Sequence, residues 1–380
     1  MKLKDICEIS AGGTPSRSNK EFWTDGNIPW LKISDLKNKY IDKSEEYITE
    51  TALKNSSAKL FSKGTVLYTI FATIGETGIL NFEATTNQAI AGLKIKDKSL
   101  QSEYLYYYMK SLKEKMLRES RGVAQNNINL SILRELEIKI PNQEDQKHVI
   151  ESLSKLENLI YIKKNEIDKC NSLIKSQFVE MFGDPNFNEK KWITRTVNDI
   201  GLCVAGATPS TAIKEYWENG TIPWLSSGEV NKGRIYETDT KISQKGYDNA
   251  STKLVPPKTV LIAMAGQGKT RGLSAITEIE LCTNQSVCSI VNNDKVNPEY
   301  LLYFFKMQYL ELRNASTSSE GRGGLNLKII GNYKVMIPPI ELQNKFAKIV
   351  EQIDKQKFEF EKSLKKLEEL QASLMQEYFG

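Results

Sequence analysis

The chain has 380 residues, 40% hydrophobic and 26% charged, with 52 Lys and Arg against 47 Asp and Glu for a net charge of +5. That length leaves room for two or more domains, each with its own core. The charge balance is ordinary for a soluble globular protein, and it permits an anionic partner without requiring one. One histidine (His148) and five scattered cysteines (Cys7, Cys170, Cys203, Cys282, Cys288) with no C-x-x-C pair leave no zinc spacing and no disulfide framework. Most hydrolase and metalloenzyme designs need more histidine than this; a lone surface histidine on a helix is the plain reading of His148.

The N-terminus, MKLKDICEIS, lacks the apolar stretch of a signal peptide. The longest apolar runs, such as TVLYTIFATIG at 65–75, are too short to span a bilayer. A cytoplasmic protein with no membrane segment is expected.

Residues 11–31, AGGTPSRSNKEFWTDGNIPWL, return at 205–225 as AGATPSTAIKEYWENGTIPWL, with 13 of 21 positions identical and no gap. TVL at 65–67 recurs at 259–261, TNQ at 86–88 at 283–285 and EYL at 103–105 at 299–301. IKIP at 138–141 answers to VMIP at 335–338, and FG at 182–183 to FG at 379–380. Two units, 1–183 and 184–380, therefore tile the chain, and the shared Phe-Gly leads us to expect the second unit to be whole. A period near 190 residues is too long for a solenoid and fits two domain-plus-connector modules.

Within each unit the first part is rich in short β-type runs punctuated by Gly, Asn and Asp: GTVLYTIFATIG and GILNFEATTNQAIAGLKI in one copy, KTVLIAMAGQG and VCSIV in the other. Helical stretches such as SEYLYYYMKSLKEKMLRES at 102–120 sit between them. The fold class is α+β: two globular mixed α/β heads in tandem repeat.

The second part of each unit, at about 143–183 and 340–380, reads as a long helix. Positions 149, 153, 156, 160, 163, 167, 170, 174, 177 and 181 form a heptad seam, interrupted by Lys163 and Gln177. The seam from 346 to 378 is interrupted by Lys357 and Gln371. Two rods of roughly 54 Å, pairing as an antiparallel coiled coil, are expected. The boundaries are 1–140 for the first head, 141–183 for a central helical spacer, 184–337 for the second head and 338–380 for a C-terminal spacer. A rod of that length covers about 16 base pairs of B-DNA, which compares lengths only.

AMAGQGKTRG at 263–272 ends like a phosphate-binding loop. The leading glycine of that motif is Ala263, the first copy has no lysine here, and GLSAITEIELC resumes a strand pattern. Lys269 and Arg271 fit phosphate-backbone or base contact better than nucleotide binding. No Rossmann glycine loop, magnesium-binding carboxylate cluster or G-x-S-x-G elbow is present, so the chain reads as one that binds and does not catalyse, with no cofactor and no metal. The glycines and prolines of the repeated stretch read as turn formers, and Trp30 and Trp224 as core aromatics under a loop. The Asn87-Gln88 and Asn284-Gln285 amides suit either adenine pairing or loop backbone.

The doubled G-x-TPS…W…G-x-IPW…TNQ set, each copy followed by IP-x-x-E-x-Q and a long helix, resembles the specificity subunit of type I restriction–modification systems over the whole chain. Where that family has Pro-Pro-Leu-x-Glu-Gln, this chain has PNQEDQ at 141–146 and PPIELQ at 338–343, with Gln146 and Gln343 matching and Asn142 in place of a proline. The resemblance implies two target-recognition heads on double-stranded DNA, each reading half of a bipartite sequence, with helices that set the gap and dock two modification (methyltransferase) subunits. Restriction (endonuclease/translocase) subunits then join that core, and the activity resides in these partners.

Under that implication, residues shared by the heads cannot distinguish their half-sites, so base readout is expected where the copies diverge. These positions are Arg17, Ser18 and Asn19 against Thr211; Lys32 and Ser34 against Ser226 and Ser227; and Thr69 and Thr73 against Gln267, Lys269, Thr270 and Arg271. Arg121, Gln125 and Asn126 in one loop, and Arg322 and Asn326 in its counterpart, carry side chains suited to G and A edges. Lys20 and Lys214, identical in both copies, suit phosphate contact. The alternatives are a stand-alone DNA-binding or coiled-coil scaffold protein and a P-loop enzyme dependent on Lys269.

Overall fold

The computed structural model describes residues 1–120, 128–266, 268–315 and 324–380. The chain divides into two compact units, Met1–Lys163 with Ser363–Gly380, and Lys164–Lys362. Among the described residues no helix is long and apolar enough to cross a membrane.

In the first unit the β-type runs form two sheets. The larger has five strands in the order Cys7–Ala11, Ile90–Ile95, Val66–Thr69, Thr77–Leu80 and Tyr40–Ile41, antiparallel except for the last pair. The smaller runs Glu46–Ile48, Ile28–Leu31, Ala84–Thr86 and Leu60–Phe61. Most side chains of Val66–Thr69 and Ile90–Ile95 are buried on both faces, which explains their continuous apolar reading. The helix Ser102–Ser111 buries six consecutive residues from Tyr104 to Met109. Its tyrosines keep their polar ends satisfied: the Tyr107 hydroxyl donates to Glu157 at 2.8 Å and that of Tyr108 to the Glu137 carbonyl at 2.8 Å.

The second unit repeats the larger sheet strand for strand: Gly201–Ala205, Val287–Asn292, Val260–Ala263, Ser274–Thr277 and Arg234–Ile235. Its smaller sheet has three strands, Thr240–Ile242, Ile222–Leu225 and Cys282–Thr283. The registers repeat as well, since Trp30 faces Glu46 and Trp224 faces Thr240. Helix Pro298–Met307, capped by Asn297, stands where Ser102–Ser111 stands in the first unit.

Both long helices are continuous for 40 residues, Gln143–Phe182 and Ile340–Phe379, or about 60 Å each. In the second unit they run antiparallel: the Phe178 and Phe346 rings lie 5.5 Å apart, and Lys357 Nζ donates to Asn171 at 3.0 Å. In the first unit Leu374, Met375, Tyr378 and Phe379 pack against the cluster that holds Val149 and Leu153. The expected seam holds through Ile174 and then moves, because Phe178 and Phe182 are buried where Gln177 and Met181 were expected. A straight helix drifts about 20° per heptad against a 3.5-residue repeat, and here the drift brings two phenylalanines onto Tyr300 and Phe346. His148 is exposed on the first long helix, as its sequence setting implied.

The start of each long helix is locked by a fully buried glutamine. Gln146 accepts from the Gln101 amide at 2.9 Å and donates to the Ser99 and Pro141 carbonyls; Gln343 accepts from the Asn297 amide at 2.8 Å and donates to Pro338. The amide side chain thus ties the helix start to the N-terminus of the neighbouring helix in each unit, which is the physical reason the P-x-x-E-x-Q pattern ends in Gln.

The two head–helix junctions differ. In the first unit Lys110 pairs with Glu157 at 2.5 Å. The aligned Lys306 lies instead 4.4 Å over the Tyr303 ring, and burial, followed by the Arg234 charge, pushes its ammonium down to about 8. In the unfolded chain this group titrates near 10.5, so between those values the unfolded chain binds more protons and stability rises with pH. Lys306→Met is therefore expected to stabilise the protein at pH 7 by about 1–2 kcal/mol, a gain that fades as the pH passes from 8 toward 10.5. Melting temperature against pH checks this; a gain independent of pH contradicts it.

Candidate functional site

The repeated stretch forms the same frame in both heads. The Thr14 hydroxyl donates to Gln88, and that of Thr208 to Gln285 at 2.6 Å, so the TPS turn is bolted to the TNQ turn. Asn87 and Asn284 accept from the backbone amides of Ala89 and Ser286 at 3.1 and 3.0 Å. Of the two readings of these amides, the structure realises the loop-backbone one. Trp30 and Trp224 are buried, and their indole N–H groups donate to the Gly13 and Ala207 carbonyls at 3.0 Å. Gly206 approaches the opposite turn so closely that an added Cβ would sit 1.7 Å from the Thr283 carbonyl oxygen.

Around this frame the first head places Arg17, Ser18, Asn19 and Lys20 on one turn. The Arg17 guanidinium lies 3.6 Å over the Trp23 ring and 4.7 Å from that of Trp30, and it pairs with Glu46. Lys32 reaches the same carboxylate at 3.3 Å and Glu45 at 2.9 Å, so Arg17 and Lys32 meet through Glu46. The hydrogen bond from Arg17, more than the one from Lys32, holds the Glu46 carboxyl below its ordinary range. Asn19 caps the short helix Lys20–Phe22 through the Glu21 amide, and Ser18 shares a hydrogen bond with Ser16. Ser34 and Lys20 are exposed.

Thr69 is fully buried at the end of its strand, and its hydroxyl donates to the Thr73 carbonyl. It therefore shapes the hairpin loop, whereas Thr73 is exposed at the tip. In the second head the corresponding loop joins strand Val260–Ala263 to strand Ser274–Thr277. A phosphate-binding loop leads into a helix; this one leads into a strand. Arg313 donates to the carbonyls of Gly268 and Arg271 at 2.8 and 3.2 Å, and Tyr309 to that of Lys269 at 2.8 Å. This holds Lys269 exposed, with Thr270 partly so.

Thr211 and Lys214 come together on one cavity with Trp217, Glu218, Trp224 and Thr240. Ser226 donates to Glu229 at 3.3 Å at the start of the short helix Ser227–Lys232. Asn326 caps helix Leu327–Gly331 and shares a cavity with Gln285, Met264 and Ala265, which sets it beside the hairpin loop. Arg121, Gln125, Asn126, Gln267 and Arg322 lie outside the described residues. The sequence reading missed Glu46, Trp23, Trp217, Glu218 and Thr240 as site neighbours. Their signal is the joint change of positions 17 and 46 between copies, from Arg and Glu to Thr and Thr.

Two heads with one common frame and divergent loops, each joined to paired long helices, define a tandem recognition protein. The chain belongs to the type I restriction modification DNA specificity domain family, which it matches over residues 1–171 and 189–372. It is similar to the type I restriction enzyme MjaIX specificity subunit of Methanocaldococcus jannaschii, at 29% identity over 98% of this chain and 90% of that protein. It is 30% identical to the EcoR124I/EcoR124II specificity subunit of Escherichia coli over 41% of this chain and 40% of the relative. The fold matches that of the type I restriction–modification S subunit from M. genitalium at a TM-score of 0.60 and 17% identity, over 100% of this chain and 95% of that one. A chain from a study of complex assembly and conformational transition of the type I R-M system matches at 0.62 and 15% identity, over 100% and 96%.

Proposed function

We propose that the chain is the DNA sequence-recognition subunit of a type I restriction–modification complex, with one head for each half of a bipartite target. The observation that carries this reading is the doubled TPS–TNQ frame: it is held the same way in both heads, while the loops around it differ. The common frame and the exposed, identical Lys20 and Lys214 serve register and phosphate contact. The half-sites are distinguished by the divergent set: Ser18, Asn19, Lys32, Ser34 and Thr73 in the first head, and Ser226, Ser227, Lys269, Thr270, Arg271 and Asn326 in the second. Arg121, Gln125 and Asn126, with Gln267 and Arg322, complete the reading loops. Arg17 orders the first head's turn through Glu46, and Thr69 orders its hairpin.

The long helices set the gap between half-sites and dock two modification subunits. Restriction subunits join that core in the cytoplasm, and methylation, translocation and cleavage belong to these partners. Replacing residues 1–140 with the first head of another family member, in cells that also carry the modification subunit, is expected to change one half of the methylated motif and leave the other half as it was. Methylome sequencing reads this directly. Both halves changing overturns the modular reading, and a chain that co-purifies with no methyltransferase returns the scaffold alternative.

A further inference from the structure

The two tryptophan pairs are built alike and occupied differently. Trp23 and Trp30 meet edge to face at 5.1 Å and 89°, and Trp217 and Trp224 at 5.1 Å and 90°. The outer indoles, Trp23 and Trp217, are pinned by equivalent bonds to the Ser16 and Ser210 carbonyls, both 3.1 Å. In the first head the chain fills the space over the rings with the Arg17 guanidinium, closed off by Glu46. In the second head both members of that ion pair are threonines, Thr211 and Thr240, and over the rings lies an open cavity of about 470 Å³.

The charge inventory says what suits this space. Without its guanidinium, the first site holds Lys32 on the Glu46 and Glu45 carboxylates, with Lys20 on the same turn as Arg17. In the second head Ser226 and Thr240 replace Lys32 and Glu46, and the cavity has one lysine (Lys214) and one carboxylate, Glu218 at the position of Thr24. The acceptor for a cation has thus moved along the rim and remained, while the cation itself has gone. A tryptophan face is the best aromatic partner for a guanidinium, and Glu218 at the rim supplies its counter-ion.

We propose that the Trp217–Trp224 cavity is an acceptor site for an arginine side chain supplied in trans by a protein partner. The arginine stacks on Trp217 as Arg17 stacks on Trp23, with Glu218 as counter-ion and the Thr211 and Thr240 hydroxyls at its edge. This role takes Thr211 out of the base-reading set and leaves the Lys214 ammonium, on the same rim, for phosphate.

The test uses the full-length chain labelled with ¹⁵N at its five tryptophan indoles, with Trp217 assigned through Trp217→Phe. A Gly-Arg-Gly peptide is expected to shift the Trp217 and Trp224 signals saturably, and Gly-Lys-Gly to do so more weakly. The double variant Thr211→Arg/Thr240→Glu, which installs the first head's own ion pair, should abolish the shift while the Trp23, Trp30 and Trp192 signals stay in place. Arg17→Thr should create a new arginine-dependent shift at Trp23 and Trp30. The proposal is overturned if the arginine peptide moves neither Trp217 nor Trp224. It is equally overturned if the double variant binds as the parent does, or if a short oligothymidylate saturates the site in preference to the arginine peptide.

Discussion

Arg234→Ala is expected to lower the unfolding free energy of the second unit by about 3 kcal/mol, read by denaturant titration of the full chain. The guanidinium is four-fifths buried and serves three carboxylates at once. It bonds Glu278 at 2.6 Å, both oxygens of Glu299 at 2.8 and 3.0 Å, and Asp354 on the second long helix at 2.7 Å. Removing it leaves Glu278 and Glu299 to Lys258, which is half exposed, and takes away the ion pair of Asp354. The cost sits at the low end for a broken buried pair because Asp354 retains about a third of its exposure.

The effect has a pH signature. Burial raises the Glu299 carboxyl, but Arg234 and then Lys258 outweigh it and hold the group below 4.5. The stabilisation is present above 4.5 and lost as the pH falls below it, so parent and variant should converge in acid. Arg234→Lys should recover only part of the loss, since a single ammonium cannot reproduce the two-pronged contact with Glu299. Parent-like stability in Arg234→Ala at neutral pH contradicts this account.

Gly206→Ala is expected to cost about 3 kcal/mol and to separate the TPS and TNQ turns of the second head. The added methyl would lie 1.7 Å from the Thr283 carbonyl oxygen and 2.4 Å from its carbon, both backbone atoms of a packed strand end. The control is Gly228→Ala, where the nearest heavy atom is the Ser226 hydroxyl at 3.8 Å; it should stay within about 0.5 kcal/mol of the parent. With the modification subunit present, Gly206→Ala should also relax one half of the methylated motif before the other. Equal stability of the two variants would show that the turns can separate without loss.

The repeat and the long helices were legible in the sequence because each is a local signal: identity at a constant offset, and apolar residues at three- and four-residue steps. The frame was legible for the same reason, since Thr14, Trp30 and Gln88 each have a copy to be compared with. The end of the first seam was not, because a fixed heptad count selects Gln177 and Met181 whereas packing selects Phe178 and Phe182. Thr69 reads as a base contact from its place in a divergent run, and only the sheet reveals that its side chain points inward. The Arg17–Trp23–Glu46 cluster joins residues from three separate elements, and no periodicity brings them together. Arg234 is the extreme case, with one partner 120 positions away on a helix whose pairing had first to be known.

The two junctions carry a consequence for how such chains can be rearranged. In the first unit the edge strand offers Tyr40, which donates to Glu103 at 2.9 Å, and Lys39, which reaches Ser154 at 3.1 Å; at the same place the second unit offers Arg234 to Glu299 and Asp354. A head moved from the first position to the second would carry Tyr40, Lys39 and Lys110 with it, and the ammonium that pairs with Glu157 at 2.5 Å would meet Asp354, the acid at the aligned helix position. A second-position head placed first would bring Arg234 and Glu299 together and set the guanidinium against Glu157. Each head thus carries the cationic side of its own junction and each helix offers an acid to it, so an exchange across positions keeps a charge pair at either socket. The repertoire open to shuffling is one library that either socket can draw on.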